Sequence, residues 1–302
     1  MLVRQFLCLG ILLGTGASSG PRILQAGQTG PDPQESTRAA DRSKPANANP
    51  QSGDKVRVAG IVLKWVRANK EANYRRAEPL IREAARKGAR IVCTTECFLD
   101  GYAIADKGIP LKQYRALGEP IPAGKYYRRL AGLARELKVH LVAGLLEADG
   151  DARYNSAVLI GPDGKLIGKY RKQELGHEGD RNTAGDNAPV FETAYGRVGL
   201  MICADRTDPA LVRRFRANGA DLLICPSGGM FGARDNDPIV QARSRENGIP
   251  IVFVHPAEFL VTGPDGSVLA RTVLGDALLV APEQVGGDRD TNRVFSFALP
   301  VR

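Results

Sequence analysis

Apolar positions recur with two periods along this chain. Val56–Val62 is an apolar run of strand length, whereas Ala77, Leu80, Ile81, Ala84 and Ala85 follow the three- and four-residue spacing of a helix face. Pro79 lies inside that pattern and predicts a helix that begins late or kinks there. Gly88 supplies a helix stop. Leu130, Leu133, Ala134 and Leu137 mark a second helix, and Val139–Leu146 predicts a strand leading into Glu147. Further strand-like runs are Ala89–Thr95, Leu166–Arg171, Val198–Ile202, Leu222–Cys225 and Ile249–Val254. Asp208-Pro209 reads as an N-cap and first-turn proline opening a helix over Pro209–Ala217, closed by Asn218-Gly219. Gly161-Pro162-Asp163-Gly164 and Gly263-Pro264-Asp265-Gly266 each predict a turn between two strands. The residues flanking these two turns differ too much to establish a repeat. Hairpins mixed with strand–helix–strand units predict a layered α/β architecture.

Three reactive side chains stand at the ends of such strands. Cys203 ends the run that starts at Val198, Glu96 follows Ala89–Thr95, and Lys172 follows Leu166–Arg171. In open α/β sheets, sites form beyond the carboxyl ends of strands. Cys203 also lies close to a predicted helix start, a place expected to favour its thiolate. Taken singly, a cysteine is most often a small buried apolar residue, and a glutamate or lysine a solvated charge. An acid, a base and a nucleophile in equivalent positions form a constellation.

At these residues the chain resembles the nitrilase, or carbon–nitrogen hydrolase, superfamily. The carrying segments are Thr95-Glu96-Cys97-Phe98-Leu99-Asp100-Gly101-Tyr102, Gly168-Lys169-Tyr170-Arg171-Lys172 and Gly199-Leu200-Met201-Ile202-Cys203-Ala204-Asp205. Ala242-Arg243-Ser244-Arg245-Glu246-Asn247-Gly248 is similar to a later helix of the family. The resemblance covers roughly residues 55 to 300. It implies a four-layer α-β-β-α sandwich, a layer order that periodicity does not give. It maps the family's glutamate, lysine and cysteine onto Glu96, Lys172 and Cys203, and its additional glutamate onto Glu147, ahead of Tyr154-Asn155-Ser156-Ala157. It further implies assembly into a homo-oligomer, dimer or larger.

The chemistry implied is thiol-dependent hydrolysis of a non-peptide C–N bond in a linear amide or N-carbamoyl compound, through a cysteine thioester. An ammonium at Lys172 would lower the thiol pKa and face the oxyanion, with the Ala204 amide as second donor. Glu96 fits the general base, and Glu147 would orient Lys172 and substrate. Arg206 suits bidentate capture of a substrate carboxylate, although an ion pair with Asp205 or Asp208 would equally explain it. Tyr102 and His255 complete the expected substrate-binding set. Ala204 stands where many members carry an aromatic residue, and His255-Pro256-Ala257-Glu258 replaces a more usual asparagine-containing segment. These departures fall where pocket walls are expected, so the catalytic set is better defined than the specificity. The alternatives are a nitrilase acting on a small nitrile and a catalytically inactive small-molecule binding module on the same fold. The family's acyltransferases carry membrane helices, which this sequence lacks.

Composition narrows the picture. A chain of 302 residues with 43% hydrophobic and 25% charged residues can build a core without disulfide staples. Cys93 and Cys97, four apart in a predicted strand, would be roughly 13 Å apart, too far to bridge. Three scattered histidines and the lack of a Walker A loop or GxGxxG leave no expected metal or cofactor. The net charge is +9, with +8 on residues 55–302, yet no dense basic block or aromatic-interleaved stripe appears. Anionic small molecules are therefore more natural partners than nucleic acid.

Before the domain, Arg4 precedes the apolar core Phe6–Leu13, and Ala17-Ser18-Ser19 offers small residues for cleavage. Residues 1–19 are expected to be a signal peptide, and 20–54, rich in Pro, Gly, Gln, Asn and Ser, a disordered linker. The catalytic domain spans 55–302. Export to a periplasm or the extracellular space, with no stable membrane insertion after cleavage, is the corresponding expectation.

Overall fold

A computed structural model describes residues 55–229, 232–275 and 292–300. The segments expected as signal peptide and linker lie outside the described residues. Two sheets carry the fold. In the first, β1 (Lys55–Val62), β2 (Ile91–Cys93) and β4 (His140–Asp149) run parallel, and β5 (Ala152–Ile160) and β6 (Leu166–Arg171) continue it antiparallel. The two-residue strand β3 (Glu119–Pro120) pairs with the end of β4, and β13 (Arg293–Pro300) pairs antiparallel with β1. In the second sheet, β8 (Gly196–Leu200), β9 (Leu222–Pro226) and β10 (Ile251–His255) run parallel. The antiparallel strands β11 (Glu258–Thr262) and β12 (Val268–Val273) follow, and β7 (Val190–Thr193) borders β8.

The period of two along β1 divides its side chains between two cores. Val56, Val58 and Val62 pack between the sheets against Phe253, Val254 and Phe259 of the second sheet. Ala59 and Ile61 face the outer helices. On that side lie α1 (Lys70–Arg86) and α3 (Lys125–Leu137), with the short α2 (Leu111–Ala116) before α3. On the second sheet lie α4 (Pro209–Ala217) and α5 (Ala233–Asn247). The layer order is α-β-β-α, and it requires close approach of the sheets. At Gly60 an added Cβ would stand within 2.8 Å of a Phe259 ring carbon and 3.1 Å of Val254 Cγ2.

Helix α1 departs from the sequence expectation. It starts at Lys70, with Asn69 Oδ1 accepting from the Ala72 amide, and runs through Pro79. Pro79 and Arg75 are both exposed, so the carbonyl that loses its donor faces water, which is why the proline is tolerated. Helix α4 begins as expected: Asp208 Oδ1 accepts from the Ala210 amide at 2.7 Å, with Pro209 in the first turn.

The two Gly-Pro-Asp-Gly turns occupy equivalent places, between β5 and β6 and between β11 and β12. Each first glycine donates to the residue after the turn at 2.8 Å, Lys165 in one case and Ser267 in the other. Gly164 and Gly266 adopt φ of 80° and 81° and lie against the Ala131 and Gln241 carbonyls of α3 and α5. Each sheet contains three parallel strands followed by two antiparallel ones. The internal repeat that flanking residues conceal is thus present in the topology.

Gly60→Ala is expected to destabilise the fold by about 1–3 kcal/mol, the usual cost of overpacking, without removing any catalytic group. Chemical denaturation with an unchanged m-value checks this.

Candidate active site

Each group of the site sits just past a strand end, and local geometry fixes it there. After β2 the chain turns sharply at Cys97, whose φ is 44°, and Glu96 is held by its amide donating to the Ser227 carbonyl at 3.1 Å. This turn crosses β4 at Gly144, where a Cβ would lie 2.5 Å from the Thr95 carbonyl and 2.9 Å from the Glu96 Cα. After β8 the chain enters a 3-10 turn over Cys203–Thr207, and Cys203 itself has a φ of 46°. Non-glycine residues rarely adopt this left-handed region, and such strain concentrates at functional sites.

Asp205 anchors the Cys203 turn. Its Oδ2 accepts from the Ile202 amide and from Tyr170 Oη at 2.9 and 2.8 Å. Its Oδ1 accepts from the Gln173 and Glu174 amides at 3.1 and 2.9 Å. One buried carboxylate therefore ties the cysteine turn to the loop that follows Lys172. It is unavailable to Arg206, which has Asn236 as partner in place of the ion pair with Asp205 or Asp208 considered from sequence.

Glu96, Lys172 and Cys203, separated by up to 107 positions in the chain, converge. Lys172 Nζ lies 2.7 Å from Glu96 Oε1 and 2.5 Å from Glu178 Oε1, and all three side chains are almost wholly buried. Burial opposes the ammonium, but Glu96 and Glu178 outweigh it and hold the Lys172 pKa well above its ordinary value. Asn155 Nδ2 donates to Glu96 Oε1 at 2.7 Å and to both oxygens of Glu178 at 3.2 and 3.0 Å. Cys203 Sγ donates to the Gly228 carbonyl at 3.3 Å. A Cβ on Gly228 would fall 2.8 Å from Glu96 Oε2, so the sulfur and this carboxylate oxygen both lie against one glycine.

The expectation of a favoured thiolate is corrected by this environment. Burial first, then the Glu96 charge, push the Cys203 thiol up to about 11, against the smaller opposing pull of Lys172 and Arg206. The resting group is a thiol next to a carboxylate, so a proton must move before sulfur can attack.

Glu147 is also corrected. It lies inside β4 and is buried against Lys169, Arg171 (2.6 Å) and Ser156 (2.6 Å), whereas the carboxylates on Lys172 are Glu96 and Glu178. Glu178, in the 3-10 turn Gly176–Glu178, is the second carboxylate on Lys172. Asn182 supports it from behind at 3.1 Å. A glutamate in a glycine-flanked loop has no periodic signal to distinguish it from a solvated charge, and its six-residue spacing from Lys172 is the only hint in the sequence.

The expected substrate-binding residues cluster near the sulfur in different ways. Arg206 is buried, with Nη1 3.6 Å from Cys203 Sγ and Nη2 2.5 Å from Asn236 Oδ1. Its Nε has no hydrogen-bond partner among the described residues. Tyr102 stacks on Trp65 with ring centroids 5.0 Å apart, and its burial beside Glu96 and Cys203 raises its phenol pKa. Ala204 is half-buried in the turn directly after Cys203. His255 is packed against Phe253, its Nδ1 accepting from the Ala257 amide at 3.2 Å. Burial lowers its pKa to about 4, which leaves a neutral ring whose Nε2 has no partner among the described residues.

The model of the carbon–nitrogen hydrolase family matches residues 56–282. The chain belongs to this family. It is 37% identical to a nitrilase of Pyrococcus abyssi over 174 residues, which cover 57% of this chain and 64% of that protein, less than two thirds of the relative's length. It is 31% identical to omega-amidase NIT2 of Homo sapiens over 249 residues, 74% of this chain and 86% of that protein. Among solved structures, Saccharomyces cerevisiae Nit3, a member of branch 10 of the nitrilase superfamily, superposes with a TM-score of 0.68 at 25% identity, covering 82% of this chain and 90% of that one. An amidase from Nesterenkonia sp. shares the fold, with a TM-score of 0.66 at 22% identity over 82% and 91% of the two chains. In this family member Glu96, Lys172 and Cys203 occupy one buried neighbourhood.

Lys172→Met should leave two buried carboxylates without their cation and cost about 3–5 kcal/mol at neutral pH. In this variant the carboxyl groups bind protons more readily in the folded chain than in the unfolded one. The deficit should therefore shrink as pH falls toward 5 and grow as pH rises. Urea unfolding at several pH values measures it.

Proposed function

We propose that this chain hydrolyses the C–N bond of a short linear amide or N-carbamoyl compound that carries a carboxylate, through a thioester on Cys203. The observation behind this reading is that Cys203 Sγ donates to the Gly228 carbonyl and Glu96 Oε2 lies against the same glycine, while Lys172 holds the other oxygen of Glu96. Family membership and the amidase and nitrilase relatives support the reaction class.

Glu96 takes the thiol proton as Sγ attacks the substrate carbonyl carbon. A C–S bond forms and the carbonyl π electrons move to oxygen. Two N–H groups of Lys172 are engaged by Glu96 and Glu178, which leaves the third for the oxyanion, alongside the Ala204 amide. Collapse breaks the C–N bond, and the leaving amine or ammonia takes the proton from Glu96. Glu96 then removes a proton from water, which attacks the thioester. A C–O bond forms, the C–S bond breaks, and the proton returns to sulfur. One carboxylate serves both half-reactions because the amine has left before water enters. Glu178 touches no reacting atom in this scheme and acts by fixing the ammonium.

Arg206 carries the substrate preference. It is a buried guanidinium beside Cys203 whose hydrogen-bonding side-chain partners among the described residues are neutral, with one N–H unengaged among them. Such a group favours a carboxylate that can accept two parallel N–H bonds. With Nη1 3.6 Å from Sγ, the acid group would lie only a few bonds from the scissile carbon. Acid-bearing short amides and N-carbamoyl amino acids meet this spacing.

Cys203→Ala should abolish ammonia release from every substrate in a panel of amides, carbamoyl compounds and nitriles. Arg206→Ala should raise KM at least tenfold for carboxylate substrates while changing it less than threefold for their neutral counterparts. Steady-state kinetics on matched pairs decides the matter. Equal losses in both classes would assign the arginine to the sulfur and remove the carboxylate preference.

A further inference from the structure

Glu96 has two carboxylate oxygens in unlike surroundings, and the difference traces to a residue outside the acid, base and nucleophile. Oε1 receives Lys172 Nζ at 2.7 Å and Asn155 Nδ2 at 2.7 Å. Oε2 is buried with no hydrogen-bond partner among the described residues and lies on the Gly228 side, where Cys203 Sγ is held. Asn155 is fully buried on β5. Its backbone carbonyl accepts from the Lys172 amide at 2.9 Å, so the strand that carries it also fixes the start of the lysine loop. The same Nδ2 reaches both oxygens of Glu178. A single amide nitrogen thus spans the two carboxylates that flank one ammonium.

We propose that Asn155 is a positioning residue that commits Glu96 to act through Oε2. This rests on the thiol-hydrolase reading above and assigns a job within it. A carboxylate held by one cation at one oxygen can still swing about its last torsion, because a carboxyl group has broad rotational preference there. A second, directional donor on the same oxygen removes that freedom. It leaves Oε2 as the oxygen able to take a proton from sulfur and return it to the leaving amine. Without the donor, Glu96 can turn both oxygens toward Lys172, and the thiol loses its acceptor. The amide is suited to the task because it donates without adding charge. An aspartate at 155 would place a third negative group beside Glu96 and Glu178, and a leucine of similar size would donate nothing.

The test uses the full chain and three proteins: wild type, Asn155→Leu and Asn155→Asp. The first readout is alkylation of Cys203 by iodoacetamide, followed by mass spectrometry, which does not require the natural substrate. The second is the pH profile of kcat on whichever amide the wild type turns over. Asn155→Leu should slow alkylation at pH 7 at least tenfold and lower kcat by ten- to a hundredfold, with KM within threefold. Asn155→Asp should be as slow at pH 8 but recover at least fivefold relative to wild type as pH falls toward 5. There its protonated carboxyl regains a donor. A merely structural role would move both variants alike at every pH, in step with their melting temperatures, and that result would overturn the proposal. So would alkylation and kcat within threefold of wild type in folded Asn155→Leu. If wild type alkylates rapidly but hydrolyses nothing in the panel, the substrate reading fails while the alkylation arm still decides the role of Asn155.

Discussion

One buried ammonium holds this site together. Glu96 and Glu178 lie in a region from which water is excluded, where an uncompensated carboxylate would be costly. Lys172, within 2.7 Å of both, makes their ionisation tolerable, and they in turn keep it charged despite its burial. Remove the cation and the remaining charges have no low-energy arrangement in the same space. The glycines at 144 and 228 follow from this constraint, because the chain must bring Glu96 close to β4 on one side and to the cysteine loop on the other.

The same electrostatics sets the state of the Cys203 thiol. A nearby ammonium alone would favour thiolate, but here the carboxylate on that ammonium is also next to the sulfur, and burial penalises a further negative charge. The Cys203 thiol is therefore pushed up to about 11. In the proposed mechanism ionisation is coupled to attack, with the proton passing to Glu96 as the C–S bond forms. Arg206, whose nearest polar contacts are the sulfur and Asn236, adds positive potential on the other side.

Much of this was legible in the chain. The strand runs before Glu96, Lys172 and Cys203 could be read from apolar patterning, and their common position at strand ends singled out the three together. The start of α4 was legible because a cap is a local interaction between Asp208 and the residues just after it. The Gly-Pro-Asp-Gly turns were legible for the same reason. Pro79 misled because its cost depends on whether the carbonyl it abandons can reach water, and solvent exposure is not a local property of sequence.

What the sequence determined by itself was therefore the set of elements, their chain order and the reactive residues that end them, since propensity, capping and turn chemistry act within a few residues. The partners of those residues were decided only in three dimensions. Glu147 and Glu178 flank the lysine in the chain on either side, yet the pleat of β4 and β5 turns the first toward Lys169, Arg171 and Ser156, while the loop after β6 folds the second onto Lys172. Asn155 and Asp205 are ordinary polar residues until the sheets pack and aim one at two carboxylates and the other at four donors. Charge compensation in a buried site depends on distances of a few ångströms between distant segments, and only the packed tertiary structure sets those distances.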